Sequence, residues 1–118
     1  MIFRMMRFFV VSLFVGSAAV AADLTFTMDN EFSEDIAVEF YSMDREHVWP
    51  GGGEVWILGV SDGEMSYPLS CRPGEVICFG AWTAGNTNSW GMGMDAEFDC
   101  TDCCAQCGAI LPDTIILH

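Results

Sequence analysis

An all-β fold, a small antiparallel sandwich or barrel with a disulfide-rich C-terminal segment, is what this sequence predicts. Three observations lead there. Short apolar stretches recur with Gly, Pro, Asn and Asp between them. After residue 22 no stretch keeps the 3.6-residue periodicity of a helix. Six cysteines sit late in the chain: Cys71 and Cys78 flank one turn, and Cys100, Cys103, Cys104 and Cys107 follow as a cluster.

Residues 1–22 read as a secretory signal peptide. Arg4 and Arg7 precede the apolar run Phe8–Val15, which is shorter than the ~20 residues a spanning helix needs. Small residues from Ser17 to Ala22 then offer cleavage after Ala21 or Ala22. No cysteine stands at that point, so a lipid anchor is not expected. Residues 23–118 are left as a single exported β domain, periplasmic or secreted, with no membrane attachment once the leader is removed. All 17 Asp and Glu fall in this portion against Arg45 and Arg72 alone, a net charge of −15 with His neutral. There is no lysine. Such a surface repels nucleic acid and anionic lipid. It suits a cationic protein, a hard metal ion or an uncharged small ligand, and acidity by itself keeps an exported domain soluble.

The strands follow in order. Leu24–Met28 alternates weakly, and Asp29–Asp35 is a polar connection. Ile36–Met43 alternates well, with Ile36, Val38 and Phe40 on one face and Glu39 on a face that meets water. Asp44–Gly53 is a loop, because Pro50 and three glycines resist regular structure. Glu54–Val60 is a strand ended by a hairpin-type turn at Ser61–Gly63. Met65–Ser70 follows, pushed to a sheet edge by Pro68. Arg72-Pro-Gly-Glu75 suits a type II turn. Val76–Trp82 is almost continuously apolar and therefore central. After a loop at Thr83–Ser89 comes a short glycine-spaced strand, Trp90–Met94. The tail, Ala109–His118, is too apolar to be free; it is a closing strand or an adhesive end that packs on a partner.

In an oxidising compartment six cysteines form three disulfides, with 15 possible connectivities. If Arg72–Glu75 closes a hairpin, Cys71 and Cys78 are diagonal neighbours whose Cβ atoms stand roughly 7–8 Å apart or somewhat less, against about 3.8 Å in a disulfide. A 71–78 bridge then needs a bulge. Otherwise each cysteine reaches into the 100–107 cluster and the remaining two pair together. Adjacent Cys103 and Cys104 are not expected to bond.

Metal binding is the alternative. The two Cys-x-x-Cys pairs abut at Cys103-Cys104, where a zinc ribbon has a long spacer. Copper(I) accepts thioether and thiolate ligands; Met92 and Met94, with His47, resemble the ligand sets of copper-handling periplasmic proteins. Asp95, Glu97, Asp99 and Asp102 offer oxygens to calcium, although the glycine and glutamate of an EF-hand are missing. The same acids oppose thiol reactivity, since negative neighbours raise a thiol's pKa. No catalytic or phosphate-binding motif is present, and His47 and His118 are the only histidines. An enzyme is not expected. Trp49, Trp56, Trp82 and Trp90 would form a sugar- or protein-binding platform if two or more were exposed together.

The stretches His47–Gly53 and Leu69–Trp82, together with the cysteine cluster, resemble small uncharacterised exported proteins of Gram-negative bacteria. The resemblance spans roughly residues 36–107. It implies export and carries no activity or ligand. The expected protein is an exported, disulfide-stabilised β domain that binds or supports something, with a periplasmic copper or calcium protein as the alternative.

Overall fold

Side-chain alternation along one strand, β2 (Ile36–Ser42), decides where the core lies. Ile36, Val38 and Phe40 are fully buried, while Ala37 and Glu39 between them are only half-buried. The structure is a computed structural model and describes residues 22–118. The leader expected over 1–22 lies outside the described residues except for Ala22, the first residue of β1 (Ala22–Asn30).

Two sheets face each other across that core. One has β1 at its centre, antiparallel to β5 (Glu64–Cys71) and parallel to β9 (Ile115–Leu117). The other pairs β2 with β6 (Val76–Thr83) over seven positions. The far edge of β2 takes β3 (Val48–Trp49) and β4 (Trp56–Leu58) in turn. The far edge of β6 takes β7 (Ser89–Gly91) and β8 (Cys104–Gln106). Phe26 of the first sheet meets Phe40 of the second at 4.8 Å between ring centroids, and Tyr67 meets the same ring at 5.5 Å. The protein is a small, mainly antiparallel sandwich. Replacing Phe40 by alanine at this centre would cost about 3–5 kcal/mol.

Several expectations hold. β2 and β6 are where the alternation and the apolar run put them, and β6 is central. Pro68 sits in β5, an edge strand, where its missing N–H costs no ladder bond. Asp44–Gly53 is mostly loop, with Gly51, Gly52 and Gly53 all at positive φ, a conformation that only glycine adopts cheaply.

Other readings need correction. Neither Ser61–Gly63 nor Arg72–Glu75 closes a hairpin. The latter is a tight turn, with the Glu75 N–H on the Arg72 carbonyl at 2.9 Å and Gly74 at φ 80°. However, β5 belongs to one sheet and β6 to the other, so the turn is an arch between layers. β4 is shorter than the expected Glu54–Val60, because the Asp62 carboxylate takes the Gly59 N–H at 2.7 Å and draws the chain out of the ladder. The strand expected at Trp90–Met94 is Ser89–Gly91, since Gly91 and Gly93 turn the chain at positive φ. The tail supplies a closing strand only at Ile115–Leu117, and that strand is parallel to its neighbour.

The outer face of β2 is also less open than alternation suggests. Tyr41 is buried there, its hydroxyl donating to the Gly93 carbonyl at 2.7 Å. Its ring lies across Gly80 of β6, where an added Cβ would come within 2.7 Å of the ring.

Candidate functional site: an apolar cleft walled by the cysteine knot

The cysteines pair as Cys71–Cys107, Cys78–Cys104 and Cys100–Cys103, and none is free. This is the second of the two arrangements open from sequence: the two early cysteines reach into the cluster and the remaining two pair together. The arch at Arg72–Glu75 explains the outcome. Because β5 and β6 lie in different sheets, Cys71 and Cys78 are not diagonal neighbours at all. The late segment docks beside them instead. The Cys107 N–H bonds the Glu75 carbonyl at 2.7 Å and the Gly74 N–H bonds the Cys107 carbonyl at 3.1 Å. Cys104 stands directly opposite Cys78 in the β6–β8 ladder. Cys103 and Cys104, adjacent and unbonded, hold their sulfurs 3.9 Å apart.

Between this knot and β9 the sandwich is open along one side. The opening is a cleft of about 420 Å³, within the range of small-ligand sites. Phe26 and Phe79 form its floor from the two sheets. Trp90, the Cys100–Cys103 bridge and Cys104 line the side towards β7 and β8. Leu111, Pro112 and the strand Ile115–Leu117 line the other side. The Trp90 indole N–H donates to the His118 carbonyl at 3.1 Å, which ties β7 to the end of the chain. Asp102 and Asp113, both exposed, are the charged residues that line it, and no Lys, Arg or His does.

A second, polar groove of about 560 Å³ lies on the outer face of β2. Glu39, Tyr41, His47 and Asp95 are among its lining residues. Burial raises the Glu39 pKa, with the Tyr41 hydroxyl opposing and Asp95 adding to the rise. Burial likewise raises that of Tyr41. Beside this groove Glu75 is buried as a carboxylate. It accepts from Arg45 Nε at 2.6 Å and Nη2 at 3.0 Å, from the Arg72 N–H at 2.9 Å and from the Ser42 hydroxyl at 2.5 Å. The Arg45 hydrogen bond is the main cause of a Glu75 pKa lowered to about 2. This network locks the Asp44–His47 hairpin onto the arch and occupies one of the two arginines outside the leader.

The candidate metal ligands are dispersed. His47 is exposed and stacks edge-on against Trp49, 4.5 Å between centroids. Met92 is packed in the core, while Met94 is half-buried in the single helical turn Met94–Ala96. Asp95 lines the polar groove, Glu97 accepts from the Asn86 amide at 3.2 Å, Asp99 is exposed, and Asp102 lies at the apolar cleft. Among the described residues, one group of His, Cys, Asp or Glu brings three ligand atoms within 4.8 Å of one another: Cys78, Cys103 and Cys104. Their sulfurs are all in bridges. The tryptophans form no exposed platform; Trp49 is buried and the other three are half-buried.

Sequence reasoning missed the cleft as a unit, because its lining comes from five separate stretches of chain, around residues 26, 79, 90–91, 100–105 and 111–117. Two signals pointed towards it: the apolar tail, and a tryptophan just before the cysteines. No protein-family model, curated protein or solved structure matches this chain.

Proposed function

We propose that this is an exported domain that acts by binding, and that it binds at the cleft beside the cysteine knot. One observation carries the reading: an open, apolar-walled space of about 420 Å³ whose two sides are fixed in place. One side is pinned by disulfides and the other by a β-ladder. Apolar walls of this extent offer a bound apolar group dispersion contacts on several sides. Export is supported by the leader pattern over residues 1–22 and by three disulfides, which belong to oxidising compartments. Among the described residues no helix is long and apolar enough to cross a membrane. A binding role is preferred to an enzymatic one because the lining, apart from Asp102 and Asp113 at its rim, is apolar side chains and bridged sulfur, with no histidine, serine or lysine.

The test uses the oxidised protein and Nile red, an uncharged apolar dye. Saturable one-site binding with a blue-shifted emission is expected, reduced at least tenfold in Leu111→Asp, which puts a charge on the half-buried cleft wall. Near-ultraviolet circular dichroism checks that the variant is folded. Unchanged affinity in the folded variant overturns the assignment.

A second reading, a metal-binding protein, has the Cys78, Cys103 and Cys104 cluster in its favour. Thiolates so placed would suit a soft ion such as copper(I), provided that two bridges were reduced. Among the described residues, the acids offered for calcium do not come together as a second set. Intact mass with and without alkylation of the exported protein separates the readings. Four or more alkylated thiols and a retained metal support the second, and no mass gain supports the first.

A further inference from the structure

We infer that the occupant of the cleft is an extended segment of a cationic protein, with an apolar side chain inside and Lys or Arg at the rim. This rests on the cleft being a binding site and goes further by naming what fills it. Charge favours such a segment. Asp102 and Asp113 line an apolar cleft with no Lys, Arg or His among the residues beside them. Both arginines outside the leader are elsewhere: Arg45 is engaged by Glu75, and Arg72 lies at the arch. With 17 acids and those two arginines beyond residue 22, no Lys or Arg neutralises the rim, and an incoming cation does.

The apolar surface does not stop at the cleft. Ile116, on its wall, is 40% exposed, and Ile110, one residue before the lining residue Leu111, is 92% exposed. A small molecule that fills the cleft leaves Ile110 bare, whereas a protein segment lying across it covers both. β9 ends its sheet, so its outer side carries no strand among the described residues. A segment running beside β9 finds free backbone groups to pair with. The same charge removes other occupants. Anionic membranes and nucleic acid are repelled, and so is a second copy of this chain.

The experiment is calorimetric titration of the oxidised protein with three amidated heptapeptides, with the Trp90 indole N–H followed by NMR. The first alternates lysine with isoleucine and phenylalanine; the second has glutamate for lysine; the third has serine for the apolar residues. The first is expected to bind and shift the Trp90 signal. The other two are expected to bind at least tenfold more weakly. Asp102 and Asp113 are exposed, so D102N/D113N keeps the fold. That variant is expected to weaken the lysine peptide about five- to tenfold at low salt, and less at 0.5 M salt.

Equal affinity for the lysine and glutamate peptides overturns the inference, as does binding that leaves Trp90 unmoved. Nile red binding at the cleft with no peptide binding overturns the cationic segment and leaves the binding site standing. Failure of both removes the site itself.

Discussion

From Ala22 to Thr83 the chain forms six strands, whereas from Ala84 to His118 it forms three strands of three residues each. The first part is held by ladders, with eight paired positions between β1 and β5 and seven between β2 and β6. The second part has no ladder longer than three pairs. Two of the three disulfides cross between the parts: Cys71 to Cys107 and Cys78 to Cys104. The third, Cys100–Cys103, lies wholly within the second part. Long backbone ladders organise one region, whereas three short ladders and two disulfides fasten the other to it. The cleft lies along their seam, with its floor from the first part and its walls from the second.

The largest effect that tests this division is removal of a crossing bridge. Cys71 and Cys107 are 36 residues apart, and loop-closure entropy for such a separation gives a loss of about 4 kcal/mol in C71S/C107S. The local bridge spans three positions, for which C100S/C103S should lose about 2 kcal/mol. Urea denaturation measures both. Equal small losses would show that packing, not sulfur, fastens the second part.

Next comes Gly80→Ala, which probes a packing contact between the regions. The new methyl group would strike the Gly93 carbonyl oxygen and the Tyr41 ring. A loss of about 1–3 kcal/mol is expected by urea midpoint. An unchanged midpoint would mean that the loop at Gly93 is free to lift away.

Acid sharpens the comparison from inside the first part. Glu75 is held at about 2, below the ordinary value of 4.5, chiefly by Arg45. A depressed carboxylate stabilises the folded state above its unfolded pKa, and that contribution is lost as pH falls towards its folded one. The urea midpoint should therefore fall between about pH 4.5 and pH 2. Glu75→Gln should lose about 2 kcal/mol at pH 7 and show a flatter decline over that window. An equal slope in both proteins would assign the acid sensitivity to other carboxylates.

How much was legible follows the same boundary. In the first part, β2 and β6 were readable because period-2 alternation and a continuous apolar run are direct images of half-buried and fully buried strands. Pro68 marked an edge for the same local reason. What failed there was partner choice: a turn residue specifies how tightly the chain reverses, not whether the next strand rejoins the same sheet. In the second part, β8 had no signal at all. Cys104-Ala-Gln106 is a strand because Cys104 sits opposite Cys78, a fact of pairing rather than of propensity. The acidic run from Asp95 to Asp102 looked like one site, yet tight turns at Gly93, Asp95 and Ala96, all at positive φ, send its carboxylates in different directions.

The order in which cysteines enter an oxidising compartment gives the pairing a consequence for biogenesis. Cys71 and Cys78 emerge first, and the partner of each is made at least 26 residues later. Until then the only thiols they can oxidise with are each other's. A catalyst that oxidises such chains in order of appearance makes the wrong bond, so the yield of correctly joined protein should depend on a disulfide isomerase.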